Sequence, residues 1–203
     1  MGTDTKTPAR PAAEDARRHR LLDAALGVFL RYGFRKTSMD EVARAADISR
    51  QGLYLHFATK EELFQATLRH AMEGALQRAR EGLSDGSLSV EARLVRGFDA
   101  WMGHFVGSVG AGASDLTEVV NGTAAREVVV QHEALFVEAV TKVVRASGLA
   151  AAYKPAGLSA RQLVDTLNAT ARGLKHSGDT REAFVDGLTL AVRALCMPLG
   201  AAR

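Results

Sequence analysis

Arg50 and Gln51 stand side by side at the head of the run Arg50-Gln-Gly-Leu-Tyr-Leu-His56. A guanidinium can donate two parallel hydrogen bonds to the edge of guanine, and a carboxamide can pair with the edge of adenine. If the run is a helix, Leu53 turns inward while Arg50, Gln51, Gly52 and Leu55 face out. Tyr54 and His56 then lie at the far end, as polar groups suited to phosphate oxygens. Other chemistries find less support. No nucleophile–base motif is visible. The six histidines, His19, His56, His70, His104, His132 and His176, show neither i, i+4 pairing nor a His/Glu cluster, so no metal is expected. Gly107-Ser-Val-Gly-Ala-Gly112 has the composition of a phosphate loop, but no strand precedes it and no Gly-Lys-Ser/Thr follows; it is read as a flexible connection. Cys196 is the only cysteine, which excludes an internal disulfide and a thiolate cluster. No cofactor and no enzymatic activity are expected.

The elements that must hold Arg50 and Gln51 follow from capping and periodicity. Leu22, Leu26 and Phe29 recur at helical spacing, which predicts a helix over 17–32, closed by Gly33 in the left-handed conformation. Ser38-Met-Asp-Glu41 and Thr59-Lys-Glu-Glu62 are capping boxes, in which a hydroxyl and the Glu three residues on satisfy free backbone donors reciprocally. Ser49 caps a third helix without the Glu partner. The result is a helix over 39–45, a tight turn at Ala46-Asp47-Ile48, a helix over 50–56 and a helix over 60–80. Val42, Ala43, Ile48, Leu53 and Phe57 supply the interior. This is the layout of a helix-turn-helix, whose second helix enters the major groove. A generic helical hairpin would show the same apolar pattern. Further helices are predicted at 89–107, 114–120, 123–147, 159–176 and 180–197, and no stretch alternates as a strand does. The fold class is therefore all-α. The organisation is a flexible N-terminal arm over 1–15, a helix-turn-helix unit over 16–60 and a second helical domain over 61–203.

Composition sets the frame for that reading. Hydrophobic residues make up 47% of the 203 and charged residues 24%, ordinary for a globular protein with a sizeable core. Residues 1–60 hold 11 Lys/Arg against 7 Asp/Glu, whereas residues 61–203 hold 15 against 16, so the basic excess sits where a polyanion is expected. There is no apolar run long enough to span a bilayer and no signal-peptide pattern, which makes a cytoplasmic location the expectation.

The segment Thr37-Ser-Met-Asp-Glu-Val-Ala-Arg-Ala-Ala-Asp-Ile-Ser-Arg-Gln-Gly-Leu-Tyr-Leu-His-Phe-Ala-Thr-Lys-Glu-Glu-Leu-Phe64, with Ala25, Phe29, Gly33 and Phe34 ahead of it, resembles the DNA-binding signature of the TetR/AcrR regulators. The likeness spans about residues 17–68 and is strongest in Leu-Tyr-x-His-Phe-x-x-Lys-Glu-x-Leu-Phe. It implies phosphate contacts at Thr37 and Ser38, base reading by Arg50, Gln51 and Gly52 behind the Ser49 cap, and phosphate contacts at Tyr54, His56 and Lys60. It also implies a palindromic operator, a homodimer, and a repressor released by a small-molecule effector. Two positions depart from the pattern: Asp47 replaces the usual turn glycine, and Gln51-Gly52 replaces glycine followed by a small polar residue. Gly52 costs about 1 kcal/mol of helix propensity relative to alanine. It allows close backbone approach to DNA, or it is drift.

For the second half the resemblance implies a ligand cavity and a four-helix dimer bundle built from the last two helices. Leu163, Leu167, Thr170 and Leu174 recur at spacings 4, 3, 4, as do Phe184, Leu188, Ala191 and Leu195. These stripes are read as the dimer seam, the alternative being that they face the subunit's own core. Phe98, Trp101, Met102, His104 and Phe105 on one helix, with His132 and Phe136 on another, are read as apolar walls with polar handles for a ligand, against plain core as the alternative.

Overall fold

The computed structural model describes residues 9–106, 113–122, 125–177 and 180–200. Among these residues every regular element is helical, as the sequence predicts: α1 (Ala9–Lys36), α2 (Met39–Ala45), α3 (Arg50–His56), α4 (Lys60–Ser84), α5 (Val90–Met102), α6 (Ala113–Gly122), α7 (Ala125–Ala146), α8 (Leu149–Tyr153), α9 (Ala160–Ser177) and α10 (Arg181–Gly200). Short 3-10 turns follow α5 at Gly103–Phe105 and α8 at Lys154–Ala156. Contacts divide the chain into two units, Met1–Ala71 with Gly110–Ala125, and Met72–Val109 with Arg126–Arg203. The division thus falls within α4 and returns α6 to the first unit, whereas the motif-based reading draws one boundary after residue 60.

In the first unit α1 begins earlier than expected. Residues 9–15, read as part of a flexible arm, are helical; Pro11 falls in the first turn, where its missing N–H has no intrahelical acceptor to lose. Residues 1–8 of that arm lie outside the described residues. Gly33 interrupts α1 with φ 80 and ψ 174, an extended positive-φ conformation open essentially to glycine alone, in place of the expected left-handed closure. The chain then makes one more turn to Lys36. Leu22, Ala25 and Phe29 of α1 pack with Val42 and Ala43 of α2, Leu53 of α3 and Leu63 and Phe64 of α4. The Phe29 and Phe64 rings meet edge to face at 5.1 Å.

The second unit is built around Leu94 and Phe98 of α5, Phe136, Val140 and Val144 of α7, Leu149 of α8, Leu163, Val164 and Leu167 of α9, and Phe184, Leu188 and Val192 of α10. This placement corrects the expected dimer seam. Leu163 and Leu167 are 3% exposed, and Phe184 and Leu188 are fully buried. Leu174 and Leu195 pack against the same cluster. A side chain already enclosed by its own subunit has no area left for a partner, so Leu163, Leu167, Phe184 and Leu188 are intramolecular, while Leu174 and Leu195 are only partly buried. The opposite faces carry Thr166, Ala169, Thr170 and Gly173 on α9, and Leu190 and Met197 on α10, all exposed.

The residues read as ligand walls also come together in the second unit. Phe98 meets Phe136 edge-on at 4.9 Å, and Trp101 stacks on Phe136 at 4.9 Å. Met102 and His132 are buried, and His132 Nδ1 pairs with the Val128 carbonyl at 2.7 Å. Phe105 is half-buried in the 3-10 turn. The side chain of His104, and the connection at 107–112, lie outside the described residues.

Candidate nucleic-acid interface

The α2–turn–α3 unit is fixed by local chemistry before packing acts on it. Ser38 Oγ accepts the Glu41 N–H at 3.2 Å, and the Glu41 carboxylate accepts the Ser38 N–H at 2.7 Å, so the expected capping box is formed. The Ser38 backbone bond, and after it the Ser38 hydroxyl, hold the Glu41 carboxyl below its ordinary value. The turn closes through Asp47 N–H to Arg44 O at 3.2 Å and Ile48 N–H to Ala43 O at 3.0 Å. Asp47 has φ 53, the only positive φ outside glycine among the described residues. A short polar side chain tolerates that conformation where β-branched residues do not. Ser49 Oγ accepts the Gly52 N–H at 3.0 Å and starts α3.

Burial then sorts α3 into two faces. Leu53 is fully buried and Phe57 is 5% exposed, with Val42 and Ala43 behind them. Ile48, expected inside, is 36% exposed; the left-handed residue before it swings its side chain toward the rim of the turn. Arg50, Gln51, Tyr54, Leu55 and His56 all face solvent, with Leu55 82% exposed. Arg50 is not a free arm. Its Nη1 lies 3.1 Å from Asp40 Oδ2 of α2, and its guanidinium stands 5.6 Å from the Tyr54 ring centroid. Gly52 has a structural reason as well, because a Cβ there would come within 3.1 Å of the Ser49 Oγ that caps the helix.

Two of the residues read as phosphate contacts are used internally. Thr37 is 2% exposed and donates its hydroxyl to the Gly33 carbonyl at 2.6 Å. Lys60 Nζ donates to the carbonyls of Phe34 at 2.9 Å, Thr37 at 3.0 Å and Arg35 at 3.5 Å, and sits 4.5 Å from the Phe34 ring. The ammonium has three protons and three carbonyl acceptors, so it closes the carbonyl end of α1 instead of pointing outward. Sequence reasoning gives the right residue types for phosphate here, but it cannot see the carbonyls that the Gly33 break brings around Lys60. It also misses Asp40 as the partner of Arg50, and the tie between α1 and α6. There Arg35 donates its backbone N–H to Asp115 at 2.7 Å and its guanidinium to Glu118 at 2.7 Å.

A helix-turn-helix with a buried Leu53 face and an outward Arg50–Gln51 face is a major-groove reader by form. Comparison with known proteins agrees. Residues 21–67 match the model of bacterial regulatory proteins of the tetR family. Over these residues the chain is similar to the TetR family. Among its relatives, the HTH-type transcriptional activator FasR of Mycolicibacterium smegmatis is 39% identical over 69 residues, covering 34% of this chain and 32% of that protein. The HTH-type transcriptional regulator UidR of Escherichia coli K12 is 38% identical over 81 residues, 40% of this chain and 39% of that protein. The chain thus aligns with roughly a third to a half of the length of such relatives. A TetR-like transcriptional regulator from Rhodococcus sp. RHA1 superimposes with a TM-score of 0.59 at 25% identity, over 94% of this chain and 99% of that one.

Proposed function

We propose that this chain is a TetR-family, sequence-specific DNA-binding transcriptional regulator that acts as a homodimer on a palindromic operator and represses until a small-molecule effector releases it. The observation that carries this reading is the outward face of α3, where Arg50 is held by Asp40 and Tyr54 beside an exposed Gln51. Those two residue types suit guanine and adenine edges, and the remaining outward groups suit the backbone. Ser38, Ser49, Tyr54 and His56, all exposed, are the groups offered to phosphate.

Homodimerisation is assigned to the outer faces of α9 and α10. Leu190 is 68% and Met197 70% exposed, on a helix whose other side is buried. On α9 the exposed residues include the small Ala169 and Gly173, which permit close helix approach. The effector is assigned to the second unit, where Phe98, Trp101, Met102, Phe105, His132 and Phe136 gather.

Activation is the second reading, favoured by the name of FasR, an activator. Transcript levels of the genes flanking this chain's own, measured with and without it, separate the two. Levels that rise on deletion support repression, and levels that fall support activation. Unchanged levels, with no binding to the flanking DNA, reject both.

A further inference from the structure

With the second unit read as an effector domain, one side chain in it is cationic, partly buried and, among the described residues, without a counter-charge. Lys175 lies in the last turn of α9, its Nζ 5.5 Å from the centroid of the Phe105 ring. Among the described residues it makes no hydrogen bond and no ion pair. Burial lowers its pKa from the ordinary lysine value, and the neighbouring charge that adds to this is a second cation, Arg172. The carboxylate that faces α9 from α7, Glu133, is already occupied. It pairs with Arg172 and accepts the Asn168 Nδ2–H at 3.1 Å.

Asn168 brings an independent observation. It is 7% exposed, and its Oδ1 has no donor. Asn168, Arg172 and Lys175 fall at i, i+4 and i+7, on one side of α9. That side therefore offers an unused acceptor at one end and an unused cation at the other, about 10 Å apart along the helix axis. Burying an ammonium without an anion, or a carbonyl without a donor, is costly. Among the described residues nothing else recovers that cost. Phe105 stands beside Lys175, and elsewhere in the same unit Trp101 stacks on Phe136.

We propose that Lys175 is the anion-binding residue of the effector site, and that the ligand is an amphipathic hydroxy acid whose carboxylate meets Lys175, whose hydroxyl donates to Asn168 Oδ1, and whose apolar body lies along Phe105. The proposal rests on the effector-domain reading, and its test separates the two.

The intact protein is titrated with 10-hydroxydecanoate, decanoate, 1,10-decanediol and decyltrimethylammonium, following emission of Trp101, the only tryptophan. The hydroxy acid is expected to bind saturably. The diol, which differs only in lacking the carboxylate, is expected to bind at least about ten-fold more weakly, and decanoate several-fold more weakly. Lys175→Met keeps the side chain on Phe105 without its charge and is expected to erase the acid–diol gap, while Lys175→Arg restores it. Equal binding of acid and diol, a gap that survives in Lys175→Met, a preference for the ammonium amphiphile, or no saturable response to the acid overturns the proposal. Should Lys175→Met fail to fold, the wild-type acid–diol comparison decides alone. DNA affinity is measured in parallel. Acid binding that leaves it unchanged keeps the anion site and removes the release mechanism.

Discussion

Asp40 Oδ2 lies 3.1 Å from Arg50 Nη1, so the first residue of the recognition helix is tied to the helix in front of it. Both side chains are largely exposed, and such a pair adds little to stability. What it contributes is orientation, since a guanidinium held in place loses less freedom when it meets a base. Arg50→Ala is expected to relax preference at one position of each half-site and to cost about 1–3 kcal/mol against the preferred base there. Competition with duplexes varied one base at a time checks this. Equal losses on every sequence assign Arg50 to phosphate instead.

Lys60 yields an opposite pattern. Its protons go to the Phe34, Thr37 and Arg35 carbonyls, so Lys60→Met should act on folding. A loss of roughly 1–2 kcal/mol is expected for charged hydrogen bonds at a partly exposed site, read as a Tm about 2–8 °C lower. The slope of log affinity against log salt should not change. A slope shallower by about one, with an unaltered melting curve, would show that Lys60 meets a phosphate.

Much of the DNA-binding unit is legible in sequence, because short-range chemistry decides it. Ser38, Glu41 and Ser49 set the starts of α2 and α3, and the structure begins both where those caps require. Two classes of feature are not legible. One is the side of the chain that an apolar stripe faces: Leu167 and Leu188 have the spacing of a shared seam, yet periodicity is blind to whose core they fill. Leu190 and Met197 lie within the apolar runs Leu188-Thr-Leu-Ala-Val192 and Leu195-Cys-Met-Pro-Leu199, so nothing in the sequence marks them as the outward face. The other is local structure too short for a period. The five residues of α8, Leu149–Tyr153, sit between a left-handed Gly148 and Pro155 and carry no repeat.

The revised dimer face separates two neighbouring leucines. Leu190→Arg, on the exposed face, is expected to give folded monomers by sedimentation with an unchanged helical spectrum. Leu188→Arg, in the core, is expected to lose the fold, because it buries an unpaired charge. Intact dimers in Leu190→Arg, or in Leu190→Arg combined with Met197→Glu, place the interface elsewhere.

Cys196 makes stability depend on alkaline pH. Burial, and after it the Glu91 charge, push its thiol up to about 11 from an ordinary 9.0. Below 9 both folded and unfolded chains hold the proton. Between 9 and 11 the unfolded chain releases it first, so stability falls as pH rises through that window, by about 3 kcal/mol at most. Cys196→Ala should show a shallower loss over the same range in denaturant titrations. Identical profiles would remove the thiol from the account.

Specific recognition by the Arg50–Gln51 face is tested most directly by anisotropy on a duplex that the intact protein itself selects from random sequence. The duplex is expected to be palindromic, to bind two chains per symmetric site, and to bind at least about a thousand-fold more tightly than randomised DNA at equal salt. Arg50→Ala combined with Gln51→Ala should bring it down to the randomised level. Equal affinity for selected and random duplexes, or a preference that survives both substitutions, would contradict the assignment of α3 as the reader of this operator.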